Sequence, residues 1–246
     1  MSKNKIIDIA LIILLYIAVC TFPTSLITKQ EIFYFLIEVL LMVAMLLFLI
    51  LYVRFHAYLK TDERRIDFKT LLFFIPVVIV TISNLIYAWI LKEPVNPTFT
   101  WAGPLQILFI GLLVVIEEVI FRYLLLGNME KGQPIVRIII AAAIFGLCHL
   151  THFFSSFNPA DLVIVAYTFG LGLLFGIIYY YTHCLLACIG LHFLFNLCND
   201  YLFTHLYSIS NALWYYLING IIALVSGLYV LDLYLLKLRK NPAELG

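Results

Sequence analysis

The stretch LQILFIGLLVVIEEVIFRYLLL, residues 105–126, places Glu117, Glu118 and Arg122 inside an otherwise apolar run. A helix needs about 20 mostly apolar residues to cross ~30 Å of hydrocarbon, so this run reads as a membrane span. Charge at mid-membrane costs at least ~2.5–3.5 kcal/mol per residue. The stretch therefore makes two statements: the surrounding solvent is lipid, and this span faces a protein interior or a wet cavity.

Working outward, seven further runs of the same kind lie at 6–27, 32–52, 70–91, 135–150, 162–181, 185–201 and 213–236. The fifth and seventh in chain order, 135–150 and 185–201, are short and carry polar residues. Composition agrees with a membrane protein. The chain of 246 residues is 64% hydrophobic and 12% charged, against roughly 25% charged in an ordinary soluble domain. Its mean hydropathy is +1.06. A soluble fold of this size leaves about a quarter of its surface in water, which this chain has too little polar surface to cover. A soluble enzyme, a disordered chain and a nucleic-acid binder are excluded. The expected fold is all-α: one integral-membrane domain over residues 1–246, with about eight spans and a motif-bearing core near 105–206.

The basic residues orient it. With the N-terminus inside, only Lys29 and Lys92 of the 15 Lys and Arg fall on outer segments, and Arg122 lies within a span. All the others collect on the inner side, which predicts cytoplasmic N- and C-termini. The first apolar run is too long for a signal-peptide core and lacks a small-x-small cleavage site, so it reads as a retained span. The loop from Arg54 to Lys69 reads as a headgroup anchor. Gly170, Gly172 and Gly176 read as sites of close helix packing, and Pro23 and Pro76 as kinks. The five cysteines, Cys20, Cys148, Cys184, Cys188 and Cys198, lie in or beside apolar runs and predict neither a disulfide nor a metal-thiolate site.

Few polar residues fall within spans. Asp8 and Asp232 lie near inner ends, where snorkelling explains them. Glu38 stands alone, and Asp200 follows the seventh run's polar group. Glu118 and Arg122, at i and i+4, share a helix face and can pair. Glu117 points elsewhere, about 140° away at 100° per residue. His149 follows Phe145 by one turn, and His192 and Asn196 share a face. At ~1.5 Å per residue, Glu117, His192 and Asn196 lie roughly 11–17 Å from their inner helix ends and His149 about 21 Å. They are expected to converge in a cavity in the cytoplasmic half of the membrane, with His152 at its rim.

A glutamate and a histidine can activate water, and a second histidine with an asparagine can stabilise the oxyanion formed on an amide carbonyl. The same residues could instead hold a divalent metal such as zinc at Glu117, His149 and His192, the metal then activating the water. Zinc recruits histidine and carboxylate rather than asparagine, which favours the version without a cofactor. Both versions predict hydrolysis of a peptide bond at the membrane.

The ordered motifs carry a resemblance. Glu117-Glu118-Val119-Ile120-Phe121-Arg122 fits EExxxR, Phe145-Gly146-Leu147-Cys148-His149 fits FxxxH, and His192-Phe193-Leu194-Phe195-Asn196 fits HxxxN. In this order they resemble the CPBP (Abi) family of type II CAAX prenyl endopeptidases and bacteriocin-processing or immunity proteins. The resemblance implies that Glu117 is the catalytic base, assisted by His149. It implies that His192 and Asn196 form the oxyanion pair, with Glu118 and Arg122 as a supporting ion pair. It also implies a bacterial plasma-membrane enzyme acting on a membrane-associated peptide or protein, such as a pheromone, a bacteriocin precursor or a CAAX-like substrate. The expected partners are the bilayer and that substrate. A non-catalytic bacteriocin-immunity protein is the first alternative and a proton-coupled transporter the second. The chain has no HExxH, GxSG or GxGD motif, so other intramembrane proteases fit worse.

Overall fold

The computed structural model describes residues 3–56, 74–129, 132–157, 161–207 and 212–240. In chain order the elements are α1 (Lys3–Cys20), α2 (Thr24–Ile27), α3 (Glu31–His56), α4 (Ile75–Ile90), α5 (Gly103–Glu118), a π-helical segment π1 (Val119–Leu126), α6 (Pro134–Cys148), α7 (Leu150–Ser156), α8 (Asp161–Thr182), α9 (Leu185–Asn196), a second π-helical segment π2 (Leu197–Phe203), α10 (Thr204–Leu206) and α11 (Ala212–Lys240). The described residues contain no strand, only one isolated bridge between Val95 and Tyr207. Five helical units are long and apolar enough to cross a membrane: Asn4–Ile27, Glu31–His56, Gly103–Leu126, Asp161–Tyr180 and Leu185–Leu206. Shorter apolar helices, Ile75–Ile90, Pro134–Cys148 and Gly220–Tyr229, occupy the other three runs. The chain is thus an all-helical, multi-pass membrane protein.

Its outer surface fits lipid. Leu11, Leu14, Leu40, Ile50 and Ile221 are all exposed, and in water such faces would aggregate. The core follows α8, whose residues 171–179 are all buried. This helix is apolar on every side because it has neighbours on every side: α6, α11, α9, α7 and π1. Lipid offers no hydrophobic drive between helices, so close approach and dispersion hold them together. The glycines permit that approach. A Cβ at Gly172 would stand 2.9 Å from the Ala142 Cα, and one at Gly170 would stand 3.0 Å from the Ala223 backbone. At Gly176 it would stand 3.1 Å from Ile138. The glycine reading therefore holds, and the 172/142 and 176/138 contacts show α6 and α8 to be antiparallel.

The prolines act differently from expectation. Pro76 lies in the first turn of α4, where its missing N–H costs nothing and its fixed φ favours starting a helix. Pro23 precedes α2, after a turn that ends α1 at Cys20, so the first span is broken rather than kinked. Asp8 does more than snorkel, because the Tyr52 hydroxyl donates to it at 3.3 Å. Glu38 is buried on α3, and Asp232 is exposed. The five cysteines are free thiols. From residue 57 to 69, the expected headgroup-anchoring loop lies outside the described residues.

The two ends of the bundle differ in charge. Lys5 reaches Asn128 at 3.5 Å, and Arg137 donates to the Met129 carbonyl and to the Tyr180 hydroxyl. That end also holds Arg54, at the end of α3. Glu31 and Asp161, which open α3 and α8, lie at the other.

Candidate functional site

Each sequence motif lands where one helix gives way to the next geometry. α5 passes into π1 directly after Glu118, and α9 passes into π2 directly after Asn196. In π1 the Gly127 N–H bonds the Arg122 carbonyl five residues back, at 2.9 Å. Single π turns cost backbone energy and recur at functional sites, where they re-aim side chains. α6 stops at Cys148, and His149 occupies the turn before α7. The Phe145 carbonyl can only accept, so His149 donates to it through Nδ1 at 3.0 Å. In the neutral ring that leaves the lone pair on Nε2.

The carboxylates divide as their helical positions require. Glu118, fully buried, pairs with Arg122 Nε at 3.2 Å. No nitrogen of Arg122 reaches good hydrogen-bond geometry among the described residues, so the contact is chiefly ionic. The guanidinium lies over the Phe145 ring at 4.6 Å and the Phe175 ring at 5.5 Å, which supplies cation–π stabilisation in a dry setting. Glu117, 3% exposed, instead accepts a short hydrogen bond from the Tyr16 hydroxyl of α1.

His192 links the pair. Its Nδ1 donates to Glu118 at 2.8 Å, and its Nε2 lies 3.6 Å from Glu117. The ring stacks on Phe175 at 5.0 Å and meets the edge of Phe145 at 6.0 Å. A histidine held by one ring nitrogen and clamped between aromatics presents its other nitrogen in a defined direction.

Two cavities meet at Glu117. One, of about 390 Å³, is lined by Glu117, His149, His192, Asn196, Asp161 and Asp200 among others. The other, of about 570 Å³, is bounded by Tyr16, Cys20, Phe22, Tyr34, Glu117 and His149 among others. Leu113, Glu117 and His149 belong to both linings. The four candidate catalytic residues are thus brought together, and Glu118 and Arg122 sit behind them. Their depth differs from the expectation. The cavities reach Pro23, Thr151 and Asp161, at the end away from Lys5 and Arg137. Buried Phe121, Leu124, Ile138 and Phe175 close the other side. The side chain of His152 lies outside the described residues.

Among the described residues, no group of three or more His, Cys, Asp or Glu side chains is placed to hold a metal ion. His192 spends Nδ1 on Glu118, and His149 spends Nδ1 on a carbonyl. A histidine that binds a metal through Nε2 is oriented by this same kind of Nδ1–H contact.

Residues 97–198 match the family model described as type II CAAX prenyl endopeptidase Rce1-like. This segment resembles the Rce1-like family. It contains every motif residue from Glu117 to Asn196, and the enzymatic class it carries is that of a CAAX-type intramembrane endopeptidase. No curated protein and no solved structure matches the chain. Sequence reading missed two members of the site. Tyr16 lies far outside the matched segment, and as one of 16 tyrosines it carried no signal beyond a hydroxyl in an apolar run. Phe175 looked like any core aromatic.

Proposed function

We propose that the protein hydrolyses a peptide bond of a membrane-associated peptide or protein, with Glu117 as general base. The observation that carries this reading is the division of the adjacent carboxylates: Glu118 is matched by Arg122, whereas Glu117 faces both cavities. Glu117 accepts a proton as water attacks the carbonyl carbon, and His149 Nε2 helps hold that water. The oxyanion accepts hydrogen bonds from the Asn196 amide and from His192 Nε2. For His192 to donate there while Nδ1 donates to Glu118, its ring must carry both protons. When the C–N bond breaks, the proton on Glu117 passes to the leaving nitrogen, giving one new carboxyl and one new amine. No step requires a metal.

Under the positive-inside rule, the end holding Lys5, Arg54 and Arg137 faces the cytoplasm. This proposed orientation opens both cavities toward the opposite side of a plasma membrane.

The test uses purified protein in lipid nanodiscs with a mixture of synthetic membrane-spanning peptides, read by mass spectrometry. Wild type is expected to cleave, Glu117→Ala to lose at least ~100-fold in rate, and a chelator to change nothing. Cleavage that survives in a folded Glu117→Ala protein would overturn the proposal. Loss on chelation would replace the water-activation step with a metal-assisted one.

A further inference from the structure

The mechanism leaves two charged side chains of the catalytic cavity unused. Asp200, on π2, lies one turn beyond Asn196, is exposed and lines the cavity. Asp161, the first residue of α8, lines it too. With Glu117, the lining then holds three carboxylates, and among the described residues no lysine or arginine. The buried cations beside it, Arg122 and the doubly protonated His192 of the proposed mechanism, are matched by Glu118 and Glu117. A second observation points to a ligand. The Asn196 side chain is 9% exposed and lines the same cavity, and it makes no hydrogen bond among the described residues. A buried amide with unused donors and acceptor suits a peptide backbone.

Four residues of helix, most of them in π2, separate Asn196 and Asp200 by about 5–6 Å along the axis. An extended peptide advances ~3.3 Å per residue. A peptide whose carbonyl meets Asn196 therefore brings the side chain one or two residues away opposite Asp200. Excess carboxylate charge favours an ammonium or guanidinium there and disfavours another carboxylate. We infer that Asp200, assisted by Asp161, is a specificity-determining residue that selects substrates with a lysine or arginine one or two residues from the scissile bond. This deepens the endopeptidase reading and rests on it.

Two arms test it. In the first, wild-type protein in nanodiscs receives Leu/Ala membrane peptides carrying a single Lys, Gln or Glu scanned along the chain. Cleavage is expected within two residues of Lys, about tenfold faster than beside Gln, and slowest beside Glu. Asp200→Asn should abolish that order and Asp200→Glu should keep it. In the second arm, Glu117→Gln protein binds fluorescent versions of the same peptides, and the Lys peptide is expected to bind about tenfold tighter than the Gln peptide. Equal cleavage of the three peptides would overturn the inference and leave the endopeptidase reading standing. A Lys preference that persists in the Asp161→Asn, Asp200→Asn double variant would also overturn it. Should wild type cleave nothing, the binding arm decides: a Lys preference lost with Asp200→Asn supports the cation site while the endopeptidase reading fails, and no preference sinks both.

Discussion

Replacing Arg122 by leucine probes the charge balance beneath the site. Arg122 and Glu118 are 2% and 0% exposed and 3.2 Å apart. With the guanidinium gone, Glu118 keeps only the His192 Nδ1–H bond at 2.8 Å. Removing one partner of a buried ion pair costs roughly 3–5 kcal/mol, because the other charge stays desolvated without compensation. The lost cation–π contacts to Phe145 and Phe175 are worth about 0.5–2 kcal/mol, partly offset by leucine packing against the same rings. A net destabilisation of ~3–5 kcal/mol is expected. The assay is reversible unfolding in mixed micelles titrated with SDS, on wild type, Arg122→Leu, Glu118→Gln and the double variant. Glu118→Gln removes the charge but keeps an oxygen that accepts from His192. The double variant leaves no uncompensated charge, so it should be more stable than Arg122→Leu alone by at least ~2 kcal/mol. If Arg122→Leu costs under ~1 kcal/mol, or if the two single costs add, the ion pair does not balance the site and the reasoning is refuted.

Three further outcomes are expected. Gly172→Ala should destabilise the protein by ~1–3 kcal/mol through overpacking, since its Cβ would meet the Ala142 Cα at 2.9 Å. Gly190→Ala has nothing within 4 Å and should be neutral or slightly stabilising in the same unfolding assay. Tyr16→Phe should lower kcat by about tenfold with little change in KM, because it removes the hydrogen bond that orients Glu117 while leaving the substrate contacts in place; a matching rise in KM would count against a positioning role. Finally, Cys20, exposed on the larger cavity, should react with a membrane-impermeant maleimide added outside intact cells. Labelling only after the membrane is opened would reverse the proposed orientation.

Much of this protein was legible because lipid penalises charge. Apolar runs located the helices, and the acidic residues inside them stood out at once. The Glu118–Arg122 pair followed from helix periodicity alone, and it survives the change from α to π winding because the two side chains still lie on one side. Periodicity did not foresee the π segments themselves. They depend on how α5 and α9 pack, and no proline or glycine sits at either change, since Gly111 and Gly190 both lie more than a turn before it. Pro76 and Pro23 were visible as backbone breakers, but whether a proline kinks, starts or separates helices depends on where the neighbouring turns begin.

Sequence alone determined the solvent, the helical class and the identity of the polar residues that needed partners, because each follows from the free energy of placing single residues in hydrocarbon. Only the tertiary structure decided which partners they found. It brought Tyr16 from the first helix onto Glu117, set His192 between two carboxylates, and placed Asp200 in the same cavity across chain separations that no local pattern encodes. It also put the cavity mouths at the end away from Lys5 and Arg137, where depth arithmetic on isolated helices had not. Arithmetic on one helix measures position along its axis. Which end stays open depends on where the buried aromatics of several helices fill the bundle.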